Sequence, residues 1–93
     1  MDSRIERINE MEKLFDRVLQ TQSAFEKAVE EYRELQEDVH RLEEYYASQQ
    51  WKDDLAADEK GEIPEGVKRG VLSEDGIFDM LERNKEIMEM IRE

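Results

Sequence analysis

The sequence predicts an all-α protein: a long N-terminal helix, a short second helix, an ordered Gly/Pro loop, and a C-terminal helix returning antiparallel as a helical hairpin. Three observations predict it. Ala, Glu, Lys, Leu and Arg together make up about 47% of the chain, a composition typical of long helices and coiled coils. No Gly or Pro falls between residues 3 and 46. Apolar residues recur at helical spacing on both sides of one segment, "DEKGEIPEGVKRGV", which holds three of the four glycines and the only proline. That segment reads as the connection.

The first element opens on Ser3-Arg4-Ile5-Glu6, a capping-box pattern in which Ser3 and Glu6 can each satisfy a free backbone N–H. Apolar residues follow at Ile8, Met11, Phe15, Val18, Phe25, Val29 and Tyr32, in alternating steps of three and four, with Gln22 the polar interruption. That is a heptad seam. At Leu35 the rhythm takes two successive steps of three before resuming through Val39, Leu42 and Tyr46. Such a shift overwinds a coil locally and rotates its seam. Ser23-Ala24-Phe25-Glu26 could cap a new helix, but nothing nearby breaks the old one, so one helix is expected over residues 3–46.

Ser48 is expected to cap a short helix over residues 48–57 that carries Trp51 and Leu55, followed by a loop over 58–73. A loop of about sixteen residues without structure is long for so small a domain. Pro64 is therefore expected to start a single helical turn ended by Gly70, with Ile63, Val67, Val71 and Leu72 against the core. The final helix, residues 74–92, has Ile77, Met80, Leu81, Ile87, Met88 and Ile91 at helical spacing.

The whole chain, 93 residues, is read as a single helical domain, 1–93, near the size at which one core only just suffices. Leu, Ile, Val and Phe come to about 23% of it, just above the range of disordered chains. Charged residues make up 43%. With so little apolar material, association is the ordinary remedy. At 1.5 Å per residue the first helix is roughly 65 Å long and the last about 28 Å. The last can therefore cover less than half of the first, and should lie along residues 28–46. The seam at Ile8, Met11, Phe15 and Val18 is left bare in a monomer, and a bare apolar seam asks for a partner. A homo-oligomer is expected, a dimer as first choice.

Charge excludes several partners. The formal net charge is −12, from 26 acids against 14 bases. A polyanion is repelled by a phosphate backbone and has few cations to release counterions, so no nucleic acid is expected. Anionic membranes are disfavoured on the same ground. No apolar run approaches a membrane span, and the opening "MDSRIERINE" is charged where a signal peptide needs an apolar stretch. A cytoplasmic location is expected. The chain contains no cysteine, which removes disulfides, thiol catalysis and cysteine metal sites. Glu26, Glu30, Glu37 and Glu44 crowd the back of the first helix with few basic residues four positions away. They read as a solvated face, or as a surface for a basic protein partner.

The stretch "KRGVLSEDG", residues 68–76, resembles a phosphate loop leading into a helix. Lys68 and Arg69 would help such a site. Glu74 and Asp75, however, occupy the positive end of the helix and would repel a phosphate, and Walker A spacing is absent. Capping accounts for more: Ser73 caps the last helix and the acids complement its dipole. Glu37-x-x-His40 matches half of a di-iron motif, whose ligands must project into a bundle core. Here the apolar face centres on Leu35, Val39, Leu42 and Tyr46, and Glu37 points nearly opposite. There is only one His. An EF-hand fails because counting back from Gly61 puts Ala56 at the first ligand position. No catalytic residue, metal site or cofactor is expected, and the chain is read as not an enzyme.

The cluster Tyr45, Tyr46 and Trp51 is rich for so polar a chain. It reads as core, with its hydroxyls and indole N–H bonded to linker backbone, or as a set of interface anchors. Asp54, Lys68 and Arg69 join it as candidate partner or pocket residues.

The run "YYASQQWKDDLAADEKGEIPEGVKRGVLSEDGIFDML" resembles a family of small bacterial proteins known as a domain of unknown function, number forty-two ninety-eight. The likeness runs through Tyr45, Tyr46, Ser48, Trp51, Asp54, Asp58, Gly61, Pro64, Lys68, Arg69 and Gly70 to Asp75. It is specific over roughly residues 42–81, while the first helix matches in character only. It implies a bacterial cytoplasmic protein and carries no activity, cofactor or catalytic residue. The function expected is a non-enzymatic interaction or scaffold protein acting through helix packing. The alternative is a binding module with its site at Tyr45, Tyr46, Trp51 and the 58–73 loop.

Overall fold

The structure is a computed structural model that describes residues 2–92. Among these residues the secondary structure is entirely helical: α1 (Ser3–Glu34), α2 (Gln36–Tyr46), α3 (Gln49–Glu59), one turn of 3-10 helix (Gly70–Leu72) and α4 (Glu74–Ile91). They form two compact units, one ending at Glu34 and one beginning at Leu35.

In the first unit, α1 is capped by Asp2. Its carboxylate accepts from the Arg4 N–H at 2.9 Å, and its carbonyl accepts from the N–H of Ile5 and Glu6. The capping box expected at Ser3 is corrected accordingly: Ser3 lies within the helix, one residue past its cap. Both residue types cap well, and the helix uses the earlier one. Over 32 residues α1 buries no side chain.

The single helix expected over residues 3–46 is interrupted at Leu35, which forms a turn at φ −70° and ψ −8°. A ψ near zero is tighter than an α-helix, the backbone counterpart of the two successive three-residue steps in the apolar pattern. Helical bonding resumes at once, with the Val39 N–H donating to the Leu35 carbonyl at 3.0 Å.

The second unit holds the core: Trp51, Leu72, Ile77 and Leu81 are buried, with Val39, Tyr45, Tyr46, Leu55 and Met80 packed partly buried against them. Gln36, at the start of α2, exchanges two 3.0 Å hydrogen bonds with Asn84 in the second half of α4. Tyr45 and Tyr46, at the other end of α2, pack on the core that includes Ile77 near the start of α4. The two helices therefore run antiparallel. In the Gln36–Asn84 pair each amide donates once and accepts once, one turn beyond Leu81.

Local chemistry sets each boundary. Ser48 caps α3: its hydroxyl accepts from the Trp51 N–H at 3.3 Å and donates to the Tyr45 carbonyl at 2.6 Å, tying the end of α2 to the start of α3. α3 ends in a Schellman motif. Gly61, at φ +75°, donates to the Asp58 carbonyl, and Glu62 donates back to Ala57. Only glycine takes that left-handed position without a steric cost.

The loop differs from expectation. The Val67 N–H bonds the Pro64 carbonyl, closing a turn, but the helical turn lies at Gly70–Leu72, so Gly70 begins it rather than ending it. Leu72 is buried, while Val67 and Val71 are exposed and Ile63 is half-buried. A proline fixes its own φ but cannot decide which apolar residues of a loop reach the core. Ser73 caps α4, accepting from the Gly76 N–H at 3.1 Å, and Glu74 and Asp75 occupy the first turn. No helix of the described residues is long and apolar enough to cross a membrane.

Candidate functional site

Two surfaces carry the candidate residues, one in each unit. In the second unit the α2–α3 corner assembles the aromatic cluster. The rings of Tyr46 and Trp51 meet edge to face, centroids 4.9 Å apart at 82°. Trp51 is buried, and its indole N–H donates to the Val71 carbonyl at 2.8 Å, which fastens the 3-10 turn to α3. The Tyr45 hydroxyl donates to the Asp54 carboxylate at 2.6 Å. Partial burial of the phenol, followed by the bond to Asp54 and that residue's negative charge, pushes the Tyr45 pKa up to about 12. Each of these causes favours the neutral phenol.

Arg69 forms an ion pair with Asp58 at 2.8 Å, joining the loop to the last turn of α3. Lys68 is exposed. The structure thus brings Tyr45 to Asp54 and Tyr46 to Trp51, while Arg69 is turned to Asp58. Sequence reasoning did not find that Arg69–Asp58 pair, nor the Gln36–Asn84 pair. Both span the connection between elements, where spacing carries no signal. A shallow depression does lie beside Tyr45, lined with Asp38, Arg41 and Leu42.

His40 stands on the exposed side of α2, with ring nitrogens 3.8 Å from Glu43 and 3.3 Å from Glu44. Glu37 is exposed as well. Among the described residues no group of three His, Asp or Glu could hold a metal ion.

The second surface is α1. Ile8, Met11, Phe15, Val18 and Phe25 lie along one stripe, and Ile5, Leu14 and Leu19 widen it; all eight are 46–60% exposed. Ile5, Leu14 and Leu19 were outside the strict seam because they flank it, one position to either side of the three–four spacing. A 3.6-residue period, which draws a broader stripe than a 3.5-residue seam, includes them. Two depressions indent this stripe. One is lined by Arg7, Ile8, Met11, Glu12 and Phe15, the other by Arg17, Val18, Thr21, Gln22 and Phe25. Leaving aside the arginine at its edge, each contains four residues at i, i+3, i+4 and i+7, the spacing of a hole that receives one side chain from a facing helix.

These features define a small all-α protein with a long amphipathic helix and a compact helical unit closed by caps and an indole–carbonyl bond. The chain belongs to the family described as domain of unknown function DUF4298, which matches residues 8–93. The match takes in most of α1 as well as the α2–α4 unit. No curated protein and no solved structure matches the chain.

Proposed function

We propose that this chain is a non-enzymatic helical interaction or scaffold protein, of a bacterial cytoplasm, that acts by packing α1 against another helix in an oligomer. One observation carries the reading: a helix of 32 residues buries none of them, yet presents a continuous apolar stripe. A helix gains most of its stability from burying such a face, so α1 gains little until a partner covers it. Single exposed apolar residues are ordinary on a protein surface, whereas a contiguous patch of eight marks an interaction site.

The aromatic cluster supports the same division of labour. The polar tips of Tyr45 and Trp51 are spent on Asp54 and on the Val71 carbonyl, inside the unit. Those bonds give the cluster a structural task and weigh against a binding module built on Tyr45, Tyr46, Trp51 and the 58–73 loop. With a net charge of −12, a basic protein is the alternative partner to a further copy of the chain.

The test compares the tagged chain and its Phe15→Glu variant, recovered gently from the cells that make them, by native mass measurement. The wild type should be in an assembly heavier than one 11.2 kDa chain. The variant, with a charge in the middle of the stripe, should be recovered as single chains. Single chains in both cases would refute the reading.

A further inference from the structure

The pattern of α1 selects its own partner and orientation. We infer that α1 pairs with α1 of a second copy of this chain as a parallel, in-register two-stranded coiled coil. This rests on the helix-packing reading above and specifies what covers the stripe.

Three observations on α1 point the same way. The first is size. Covered completely, the eight half-exposed apolar side chains would remove at most on the order of 700 Å² per chain from water, taking roughly the 150–200 Å² of an aromatic side chain for each as an upper value. That is close to the roughly 800 Å² per partner of a specific interface of standard size.

The second is the position of Gln22, the one polar residue at a seam position between Ile8 and Tyr32. In a parallel, in-register pair it meets the partner's Gln22, and the two amides satisfy one another. In an antiparallel pairing that sets Phe15 against the partner's Val18, Gln22 faces the partner's Met11 and its amide is desolvated without a match. A lone polar seam residue specifies register in this way. The hole formed by Val18, Thr21, Gln22 and Phe25 is the one that would receive the partner's Gln22. The hole formed by Ile8, Met11, Glu12 and Phe15 would receive the partner's Met11.

The third is charge. In the parallel pair, seam-flanking residues meet five positions apart, which sets Arg7 beside the partner's Glu12 twice by symmetry, and Leu14 beside the partner's Leu19. The antiparallel pairing instead sets Glu12 against the partner's Leu19. Sliding that pairing by one heptad sets Glu12 against either the partner's Glu12 or its Glu26. Like charges opposed in this way disfavour the wrong register.

The experiment uses the full chain, whose lack of cysteine makes engineered thiols unambiguous. Arg4 sits on the seam one heptad before Met11: the parallel pair sets it against the partner's Arg4, a like-charge contact in the first turn that a cysteine there removes, and the antiparallel pairing would set it against Val29. In a glutathione redox buffer, Arg4→Cys should form a covalent dimer with itself in preference to one with Val29→Cys when the two variants are mixed. A second readout avoids the seam. Glu12→Arg should weaken dimerisation several-fold by sedimentation, and adding Arg7→Glu should restore it, since within one helix the two residues are five apart and do not meet. Preferential joining of Arg4→Cys to Val29→Cys, or no rescue by the double charge reversal, overturns the parallel arrangement. A purified wild-type chain that sediments as a monomer at tens of micromolar overturns the second copy as partner. If that monomeric chain still assembles with another protein in cells, through Phe15, the helix-packing reading stands while this inference falls.

Discussion

Replacing Trp51 by alanine should strongly destabilise the second unit. The side chain is only 6% exposed, so nearly its whole area returns to water or leaves a void. Taking roughly 200 Å² for an indole at about 25 cal/mol per Å² gives an upper bound near 5 kcal/mol. The edge-to-face contact with Tyr46 and the 2.8 Å bond to the Val71 carbonyl are also lost. Val71 is exposed, so its carbonyl can recover a water, and that loss stays near 1 kcal/mol or below. Partial collapse of so small a core recovers some of the cavity. The expected cost is therefore about 3–5 kcal/mol, within the observed range for large aromatic truncations. A unit of about 60 residues has a total stability of about 3–9 kcal/mol, so this loss takes between about a third and all of it. Trp51→Phe keeps most of the apolar volume and should cost about 1–2 kcal/mol, chiefly the N–H bond and the missing ring. Thermal denaturation followed by far-ultraviolet circular dichroism reads both variants. An unchanged Tm in Trp51→Ala would mean that the four-residue core does not hold the unit together.

Three further predictions follow from single contacts. Ser73→Ala should lose about 1 kcal/mol while Ser73→Asp holds stability, because aspartate also accepts from the Gly76 N–H; equal losses in urea titrations of the two would refute the capping role. Gly61→Ala should cost about 1 kcal/mol although nothing lies within 4 Å of the added carbon, since the cost is the left-handed backbone alone, and Gly61→Asn should cost less. Spectrophotometric titration should place one of the three tyrosines near 12, and Asp54→Asn should lower it towards the usual value. Its folded pKa lies above the unfolded one, so the associated stability is fully present below about pH 10 and is lost as pH rises towards 12.

The sequence revealed those parts of the fold whose cause is local. Ser48 and Ser73 were legible as caps because a hydroxyl three residues before a free N–H needs no tertiary help. The bare stripe on α1 was legible too, since side-chain period fixes which residues share a face. The interruption at Leu35 left its trace as two steps of three, yet one residue with ψ near zero breaks a helix without any Gly or Pro to announce it. The loop was read least well. Its helical turn is placed by a bond from Trp51, twenty positions away from Val71, and no local rule connects the two. Arg69 was legible as a cation but not as the partner of Asp58, for the same reason.

The most direct test of the central claim, that α1 is held by a partner helix, is amide hydrogen exchange over residues 3–34 at increasing chain concentration. Protection should rise from slight at nanomolar to strong at tens of micromolar, while residues of α3 and α4 exchange at rates independent of concentration. Strong protection of α1 at every concentration, in a chain that sediments as a monomer, would contradict the account. The stripe would then be covered from within one molecule.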